Sequence, residues 1–294
     1  MLERLFNFFN SLTKSFFTFL KILVRSKFFL SEHTAHSSHC IILGNGPSLK
    51  TVLEEHTESL KKHTLLCVNK FPDTEPYTVL KPRYFLFTST GYFIPEKIKH
   101  EQEARVKIIN ALVKNTTWPI TVFCPSLARS NPDFINKIKS NENIELCYFN
   151  NTPIEGLRFF NHLFMKLGWG MPRPHNVLIP CIFMAINAGY KQLYLIGADH
   201  SWLPMISVNE KNDALINQVH FYDDGETQQG KMFRNSQPRR LHEILEKFML
   251  SFRAYFELKD YAEVRGTKIY NCTPGSFIDA FERKDINKIL NEKP

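Results

Sequence analysis

The segment His39-Cys40-Ile41-Ile42-Leu43-Gly44-Asn45-Gly46-Pro47-Ser48-Leu49 contains the signals for a strand, a turn and the start of a helix. Its apolar run predicts a short strand that is buried on both faces. The glycines permit positive φ angles and let another group approach the backbone closely. Free N–H groups and the helix dipole converge at a turn of this kind, which predicts a cradle for a phosphate. The alternative is an ordinary strand-to-helix turn.

The turn matches neither of two well-known phosphate-binding motifs. No Gly-Lys-Ser/Thr follows it, and Leu49 stands where a dinucleotide fingerprint has its third glycine. Ser48 begins a predicted helix to about residue 60, and residues 64–69 predict a second buried strand, which completes a βαβ unit. Asn45 and Asn69 then lie together at the carboxyl ends of parallel strands, where open sheets bind ligands. Asn69 either contacts a ligand or caps a turn.

Strands and helices alternate through most of residues 39–290. Further strands are predicted at 84–87, 120–124, 144–148, 192–197 and 267–272, and helices at about 96–114, 131–139, 177–188 and 239–265. Gly189 and Gly266 end the last two of these helices. Residues 151–175 and 203–238 lack a clear period, and the second segment is predicted to be a loop that is either a lid or disordered. We therefore expect a single doubly wound, mostly parallel α/β sheet of Rossmann-like type in residues 39–294.

Residues 1–30 predict an amphipathic helix. Polar side chains recur every three or four residues along one stripe, and phenylalanines and leucines cover the rest of the helix. The stripe consists of Asn7, Asn10, Ser11, Lys14, Thr18, Lys21 and Arg25. A basic stripe opposite a wide apolar face is typical of a helix in the plane of a membrane surface; the alternative is a helix that packs on its own domain or on a partner subunit. A transmembrane span is not expected, because lysines interrupt the apolar sequence, and residues 31–38 are predicted to be a linker.

The charge balance indicates an anionic partner. The chain has 37 Lys and Arg against 29 Asp and Glu, a formal net charge of +8, which fits a nucleotide, a phosphorylated substrate or a membrane surface. No nucleic-acid partner is expected, because no recognition helix or aromatic RNA-binding motif is evident. The six cysteines form no Cys-x-x-Cys motif, so we expect reduced thiols in a cytoplasmic protein and no structural zinc.

Several segments resemble one protein family, in the same order along the chain. Residues 42–50 (ILGNGPSLK) are similar to the opening motif of the bacterial sialyltransferases of glycosyltransferase family 42. The same opening occurs in the related domain named after hydroxymethylpterin pyrophosphokinase in flagellin glycosylation factors. Residues 188–199 (AGYKQLYLIGAD) resemble the family's central helix–strand–Asp block, and residues 68–71 and 266–272 resemble its second nucleotide-contacting strand end and its late strand.

The resemblance implies a sialyltransferase-like variant of the A-type glycosyltransferase fold. It also implies a CMP-activated donor, sialic acid or a related nonulosonate, and a metal-independent, inverting transfer to a cell-surface glycan or glycolipid, with no cofactor. The implied donor site consists of Gly44, Asn45, Gly46, Pro47, Ser48, Asn69, Asn176 and Gly197. With the N-terminal helix, it predicts a cytoplasmic enzyme attached peripherally to the inner membrane; a homo-oligomer is compatible with the sequence.

An inverting transfer needs a base that takes the proton of the acceptor hydroxyl. Histidine suits this role because its ordinary pKa lies near neutral pH. His220 corresponds in order to the family's catalytic histidine and is the first candidate, whereas Asp199 and His200 directly follow the predicted central strand. His200 is either the second candidate or a structural residue that holds the strand end.

Two other functions fit the same residues. A Mg²⁺-dependent pyrophosphokinase or another phosphotransferase could use the glycine-rich turn, and it would bind ATP. A non-catalytic, membrane-bound scaffold could keep only the nucleotide-binding fold, in which case removal of the histidine side chains would change nothing except stability.

Overall fold

The computed structural model describes residues 2–30, 33–94, 99–217, 220–222, 229–234 and 237–290. The helices are α1 Leu2–Arg25, α2 Ser48–Leu60, α3 Glu75–Leu80, α4 Lys99–Asn115, α5 Pro132–Lys139, α6 Arg158–Lys166, α7 Leu178–Ala188, α8 Leu241–Arg265 and α9 Ile286–Leu290. The strands are β1 His39–Leu43, β2 Leu65–Val68, β3 Tyr84–Leu86, β4 Ile120–Pro125, β5 Ile144–Phe149, β6 Gln192–Ile196, β7 Ile206–Val208, β8 Ala214–Asn217, β9 Gln229–Gly230, β10 Phe233–Arg234, β11 Gln237–Pro238, β12 Lys268–Asn271 and β13 Glu282–Arg283.

Eight strands form one sheet at the centre of the molecule. Their order is β13-β12-β6-β1-β2-β3-β4-β5, and every described pairing between them is parallel. The chain builds the sheet outward from β1 through β2 to β5, and then returns to the other side of β1 with β6. The strand order therefore reverses between β1 and β6. This topology confirms the predicted doubly wound, Rossmann-like α/β fold.

Helices cover both faces of the sheet because its central strands are apolar on both sides. In β1, Cys40 and Ile42 belong to a core that also contains side chains of α1, α6, α7 and α8. The alternate residues Ile41 and Leu43 belong to the opposite core, which contains side chains of α2, α3, α4, α5 and α9. In the sheet, β1 pairs with β6 so that Leu43 lies opposite Ile196. This register brings the turns that follow the two strands side by side.

Two segments that the sequence predicts to be irregular contain secondary structure. Residues 151–175 include α6, in which Phe159 is exposed whereas Phe164 and Met165 are buried. The segment 203–238 includes the small antiparallel sheets β7-β8-β9 and β10-β11. Trp202 and Phe248 pack with β8 in a small core of their own. The prediction of a plain loop is therefore wrong for the described part of this segment, and its action as a lid stays a prediction.

The N-terminal helix α1 packs on the sheet domain through part of its polar stripe. Thr18 is fully buried, together with Ser15 and Ile22. Of the predicted linker, residues 31–32 lie outside the described residues, and residues 33–38 contact the domain. Nε2 of His33 lies 2.9 Å from the hydroxyl of Tyr84, and the N–H of Ala35 donates to the carbonyl of Ala188 at 2.8 Å. Packing on its own domain is thus what α1 does, and its contact with a membrane stays a prediction.

Candidate functional site

A cavity of about 500 Å³ lies at the carboxyl ends of β1, β2 and β6, beside the amino end of α7. This is where the strand order reverses, and open α/β sheets bind ligands at such a point. Ten of the eleven predicted site residues line the cavity, namely Gly44, Asn45, Gly46, Pro47, Asn69, Asn176, Gly197, Asp199, His200 and His220. The remaining one, Ser48, does not line it. The structure therefore brings together residues from five separate segments of the chain.

A second cavity, of about 560 Å³, lies at the opposite edge of the sheet, where Ile120 and Ile144 begin β4 and β5. Parallel sheets place their ligands outside the carboxyl ends of the strands, and this cavity is at the amino ends. We therefore take the cavity between the turns after β1 and β6 as the candidate site.

The glycine-rich turn after β1 packs against the turn after β6. The N–H of Gly44 donates to the carbonyl of Ile196 at 2.7 Å, and that of Gly46 donates to the carbonyl of Gly197 at 2.9 Å. A Cβ atom on Gly44 would lie 2.3 Å from the carbonyl oxygen of Gly197. Gly197 has a φ of +67°, whereas Gly44 and Gly46 are not among the glycines with positive φ. Of the two predicted reasons for Gly44 and Gly46, the close approach of another backbone is confirmed, and positive φ is wrong.

Asp199 closes the amino end of α2. Its carboxylate accepts the backbone N–H of Ser48 at 3.2 Å and the Ser48 hydroxyl at 2.8 Å. The next two N–H groups, of Leu49 and Lys50, donate to carbonyls of the turn itself at 3.1 Å each. Burial raises the pKa of the Asp199 carboxyl, and the bonds from Ser48 oppose that rise. The Asp199 carboxylate therefore already lies at the positive end of this helix, and the predicted phosphate cradle at Ser48 stays a prediction.

His200 is buried in a chain of hydrogen bonds. Its Nε2 lies 2.6 Å from the hydroxyl of Tyr255, which donates to Oδ1 of Asn176 at 2.9 Å. Because the phenol proton is used on Asn176, Nε2 of His200 carries the proton that it donates to the Tyr255 oxygen. Burial lowers the pKa of His200 to about 3. The ring is therefore neutral near pH 7 and a poor general base, and its contacts are those of the structural alternative.

Three asparagines around the cavity have a buried polar atom without a hydrogen-bond partner among the described residues: Oδ1 of Asn45, Nδ2 of Asn176 and Oδ1 of Asn217. Two of the amide orientations follow from their other bonds. Nδ2 of Asn45 donates to the carbonyl of Val68 at 3.3 Å, and Oδ1 of Asn176 accepts the N–H of Leu178 at 2.9 Å. Buried polar atoms are rarely left unpaired in proteins. We therefore expect a ligand that donates to Asn45 and accepts from Asn176.

His220 lies at the edge of the cavity in a short segment that is attached to the glycine-rich turn. The N–H of Phe221 donates to the carbonyl of Asn45 at 3.2 Å, and the buried Phe221 ring lies 5.7 Å from that of Phe71. The His220 ring stacks on Tyr222 at 5.0 Å and is partly exposed. Unlike His200, this histidine can therefore meet both the cavity and solvent.

Positive charge is gathered near the amino end of α7. Burial, followed by the charges of Lys247, Arg173 and Arg239, lowers the pKa of His175 to about 4, and the charge of Glu246 opposes this shift. In the part of the chain that the structure describes, no group of three or more His, Cys, Asp or Glu side chains is placed to hold a metal ion. Metal independence stays a prediction, and the adjacent carboxylates Asp223 and Asp224 of the sequence lie outside the described residues.

Sequence reasoning missed three residues around this site. Tyr255 and Lys247 lie on α8, far from the site in sequence. The packing of α8 on α7 brings Tyr255 to Asn176 and Lys247 close to His175. Asn217 ends β8, in the segment that is predicted to be a loop. An Asn at the end of a short alternating run, Ala214-Leu215-Ile216, is the signal that could have identified it.

No protein-family model and no curated protein sequence match the chain. Among solved structures, the chain is similar to the structure of the MAf glycosyltransferase from Magnetospirillum magneticum AMB-1, with 12% sequence identity and a TM-score of 0.46. The similarity covers 88% of this chain and 35% of that one, so this chain spans little more than a third of the matched protein. The residues around the cavity are therefore the basis for assigning a function.

Proposed function

We propose that the protein is a glycosyltransferase that binds a nucleotide-activated sugar, CMP-linked, in the cavity between the turns after β1 and β6. The observation that carries the proposal is the pair of buried, unpartnered amide atoms on Asn45 and Asn176 at the reversal of strand order. The volume of about 500 Å³ is within the range of small-molecule sites. The motif resemblance to glycosyltransferase family 42 supports the choice of a CMP-sugar over other nucleotides.

The donor phosphate is assigned to the amino end of α7 instead of that of α2. Asn176, Val177 and Leu178 line the cavity at this end of the helix, where the helix dipole is positive. The Asn176 amide N–H₂ adds a donor, and Lys247 and Arg239 add positive charge nearby. Asn45 Oδ1, on the opposite wall, is an acceptor for an amino or hydroxyl group of the nucleoside or sugar.

The transfer itself requires one proton to move. His220 takes the proton of the acceptor hydroxyl as that oxygen attacks the anomeric carbon. The bond between the anomeric carbon and the donor phosphate oxygen breaks, and its electrons leave with the nucleotide. The groups at the start of α7 stabilise the departing phosphate. Attack on the face opposite the leaving group inverts the configuration of the anomeric carbon.

The experiment that tests this proposal is the thermal unfolding of the purified protein with CMP, UDP, GDP or ATP, each with Mg²⁺ and with EDTA. A ligand that binds the native state raises the apparent stability with the logarithm of its concentration. We expect stabilisation by CMP that persists in EDTA. Stabilisation by ATP alone, and only with Mg²⁺, would overturn the proposal in favour of a phosphotransferase. No stabilisation by any of the four nucleotides would overturn it as well.

A further inference from the structure

The face of α1 that packs on the domain is polar. Thr18 Oγ1 accepts the N–H of Glu155 at 3.0 Å and donates to the carbonyl of the same residue at 2.8 Å. Ser15 Oγ accepts the N–H of Leu157 at 2.7 Å. A Cβ atom on Gly156 would lie 2.5 Å from the backbone nitrogen of Ser15, so the two backbones are in close contact. The helix is thus held by specific polar bonds, which orient its opposite face outward.

The outward face of α1 is apolar along its whole length. Phe16 is 59% exposed and Leu23 is 50% exposed, and Phe29, just after the helix, is 96% exposed. Soluble proteins bury side chains of this kind unless a partner covers them. The helix is 24 residues long, which at about 1.5 Å per residue makes an apolar strip of roughly 36 Å.

The neighbouring helix α6 extends this strip. Phe159 is 74% exposed, and Leu163 is 40% exposed. Phe164 joins the two helices, because its ring stacks on Phe19 of α1 at 6.4 Å and on Phe160 of α6 at 6.3 Å. We call the exposed apolar side chains of α1, residues 28–29 and α6 the α1–α6 surface. Only the tertiary structure brings its two parts together.

The same segments carry most of the net positive charge. Residues 2–30 contain five Lys and Arg and one Glu, and α6 adds Arg158 and Lys166 with no acidic residue, so they account for six of the eight net charges. Nε of Arg158 forms an exposed ion pair with Oδ2 of Asp260 on α8 at 3.5 Å. Among the described residues, every helix is too short or too polar to cross a membrane.

We propose that the α1–α6 surface docks the protein on an anionic phospholipid bilayer, with both helices in the plane of the interface. Apolar side chains then enter the acyl boundary, while the basic side chains meet the headgroups. A second copy of the chain is the less favourable occupant, since a symmetric contact would bring two copies of these positively charged segments together. The proposal adds α6 to the membrane contact, and it does not depend on the proposed transferase activity.

The test is cosedimentation of the full-length protein with vesicles of phosphatidylglycerol and phosphatidylethanolamine, and with vesicles of phosphatidylcholine. We expect strong binding to the first, weak binding to the second, and a loss of binding in high salt. Phe159→Ser should lower the vesicle partition coefficient by about tenfold, because it removes one inserted aromatic side chain. The matched control is Val106→Ser on α4, which is 44% exposed on the other side of the sheet, and it should bind as the wild type does.

Equal binding of wild type and Phe159→Ser would remove α6 from the surface and overturn the proposal. Equal binding to both vesicle types would overturn the role of charge. The oligomeric state is measured by light scattering without lipid, and we expect a monomer. A dimer that dissociates in the Phe159→Ser variant would instead assign the surface to a second copy of the chain. None of these measurements requires a nucleotide, so their failure would leave the proposed function standing.

Discussion

Two helices begin at the candidate cavity, and their amino ends are in opposite states. At α2, the Asp199 carboxylate accepts both the N–H and the hydroxyl of Ser48, so an anion already occupies the positive end of the dipole. At α7, Asn176 bonds the first N–H of the helix with its oxygen, and its amide nitrogen has no partner among the described residues. The first helix start is closed by the protein, and the second is open to a ligand.

The difference shows that a glycine-rich turn does not by itself locate an anion site. The glycines of the turn before α2 allow close contact with Gly197. The hydrogen bond from Ser48 to Asp199 then joins this turn to the end of β6. This region anchors other segments, including the one that carries His220. At the start of α7, by contrast, the amide nitrogen of Asn176 has no partner among the described residues. We therefore expect substitutions on the α2 side to change stability or the transfer rate, and substitutions on the α7 side to change nucleotide affinity.

The largest effect is expected from His220→Ala. Removal of the base should lower the rate of CMP release from CMP-sialic acid in the presence of acceptor by about 10²- to 10⁴-fold, and CMP affinity should stay the same. The matched control is His242→Ala, because His242 is exposed on α8 and the variant should turn over as the wild type does. A His220→Ala protein with normal turnover would exclude this residue as the base.

Gly46→Ala should produce the largest loss of stability. The new Cβ would lie 1.8 Å from Oδ2 of Asp199 and 2.8 Å from the carbonyl oxygen of Gly197, so the closed end of α2 would have to move. We expect the free energy of unfolding in urea to fall by about 3 kcal/mol. Gly230→Ala is the control, since no atom lies within 4 Å of the added Cβ. If both variants were equally stable, the tight contact between the two turns would be refuted.

Asn176→Asp separates nucleotide affinity from stability at the open helix start. The new carboxylate can still accept from Leu178 and Tyr255, but it replaces the free donor with negative charge. CMP affinity measured by calorimetry should fall by about 100-fold, while the melting temperature without ligand should not fall. Ser48→Ala is the opposite case: it should cost about 1 kcal/mol of stability and leave CMP affinity unchanged. The reverse pattern would return the phosphate to α2.

The titration of His200 is expected to make stability depend on pH, with a slope of up to about 1.4 kcal/mol per pH unit. Burial lowers the pKa of His200 to about 3 from 6.5, so between these values the unfolded chain binds a proton that the folded protein does not. The stabilisation by the neutral ring is complete above the unfolded pKa and is lost as the pH falls toward the folded pKa. Urea unfolding of wild type and His200→Gln at several pH values between these limits should show the steeper decline in the wild type. Parallel curves would contradict the neutral, buried state of His200.

Much of the fold could be predicted because its signals are local. The bounds of α2 agree with the sequence prediction, and Gly189 and Gly266 end α7 and α8 with φ of +99° and +69°. The prediction was poorest where tertiary contacts override the pattern. In α6, a phenylalanine such as Phe159 is exposed, and in α1 a threonine such as Thr18 is buried, which reverses the usual relation between polarity and burial.

The sequence predicted which residues belong to the candidate site better than it predicted the hydrogen bonds between them. The rule that parallel strands gather their carboxyl ends placed Asn45, Asn69 and Asp199 around one cavity, and the family resemblance added His220. That rule does not say which side chain bonds to which. The pairing of Asp199 with Ser48 and the burial of His200 under α8 decide which groups are available, and both join residues more than fifty positions apart.

Strand periodicity, glycine positions and the order of elements were enough to specify a doubly wound parallel sheet and the edge where its ligand site lies. These are properties of short stretches of chain, since a buried strand or a helix end depends on its near neighbours in sequence. Tertiary packing decided which helix start is open to a ligand, which histidine is neutral and which apolar helix faces lie side by side. The reason is that a hydrogen bond or a buried surface needs two partners, and here the partners come from segments that only the folded chain brings together.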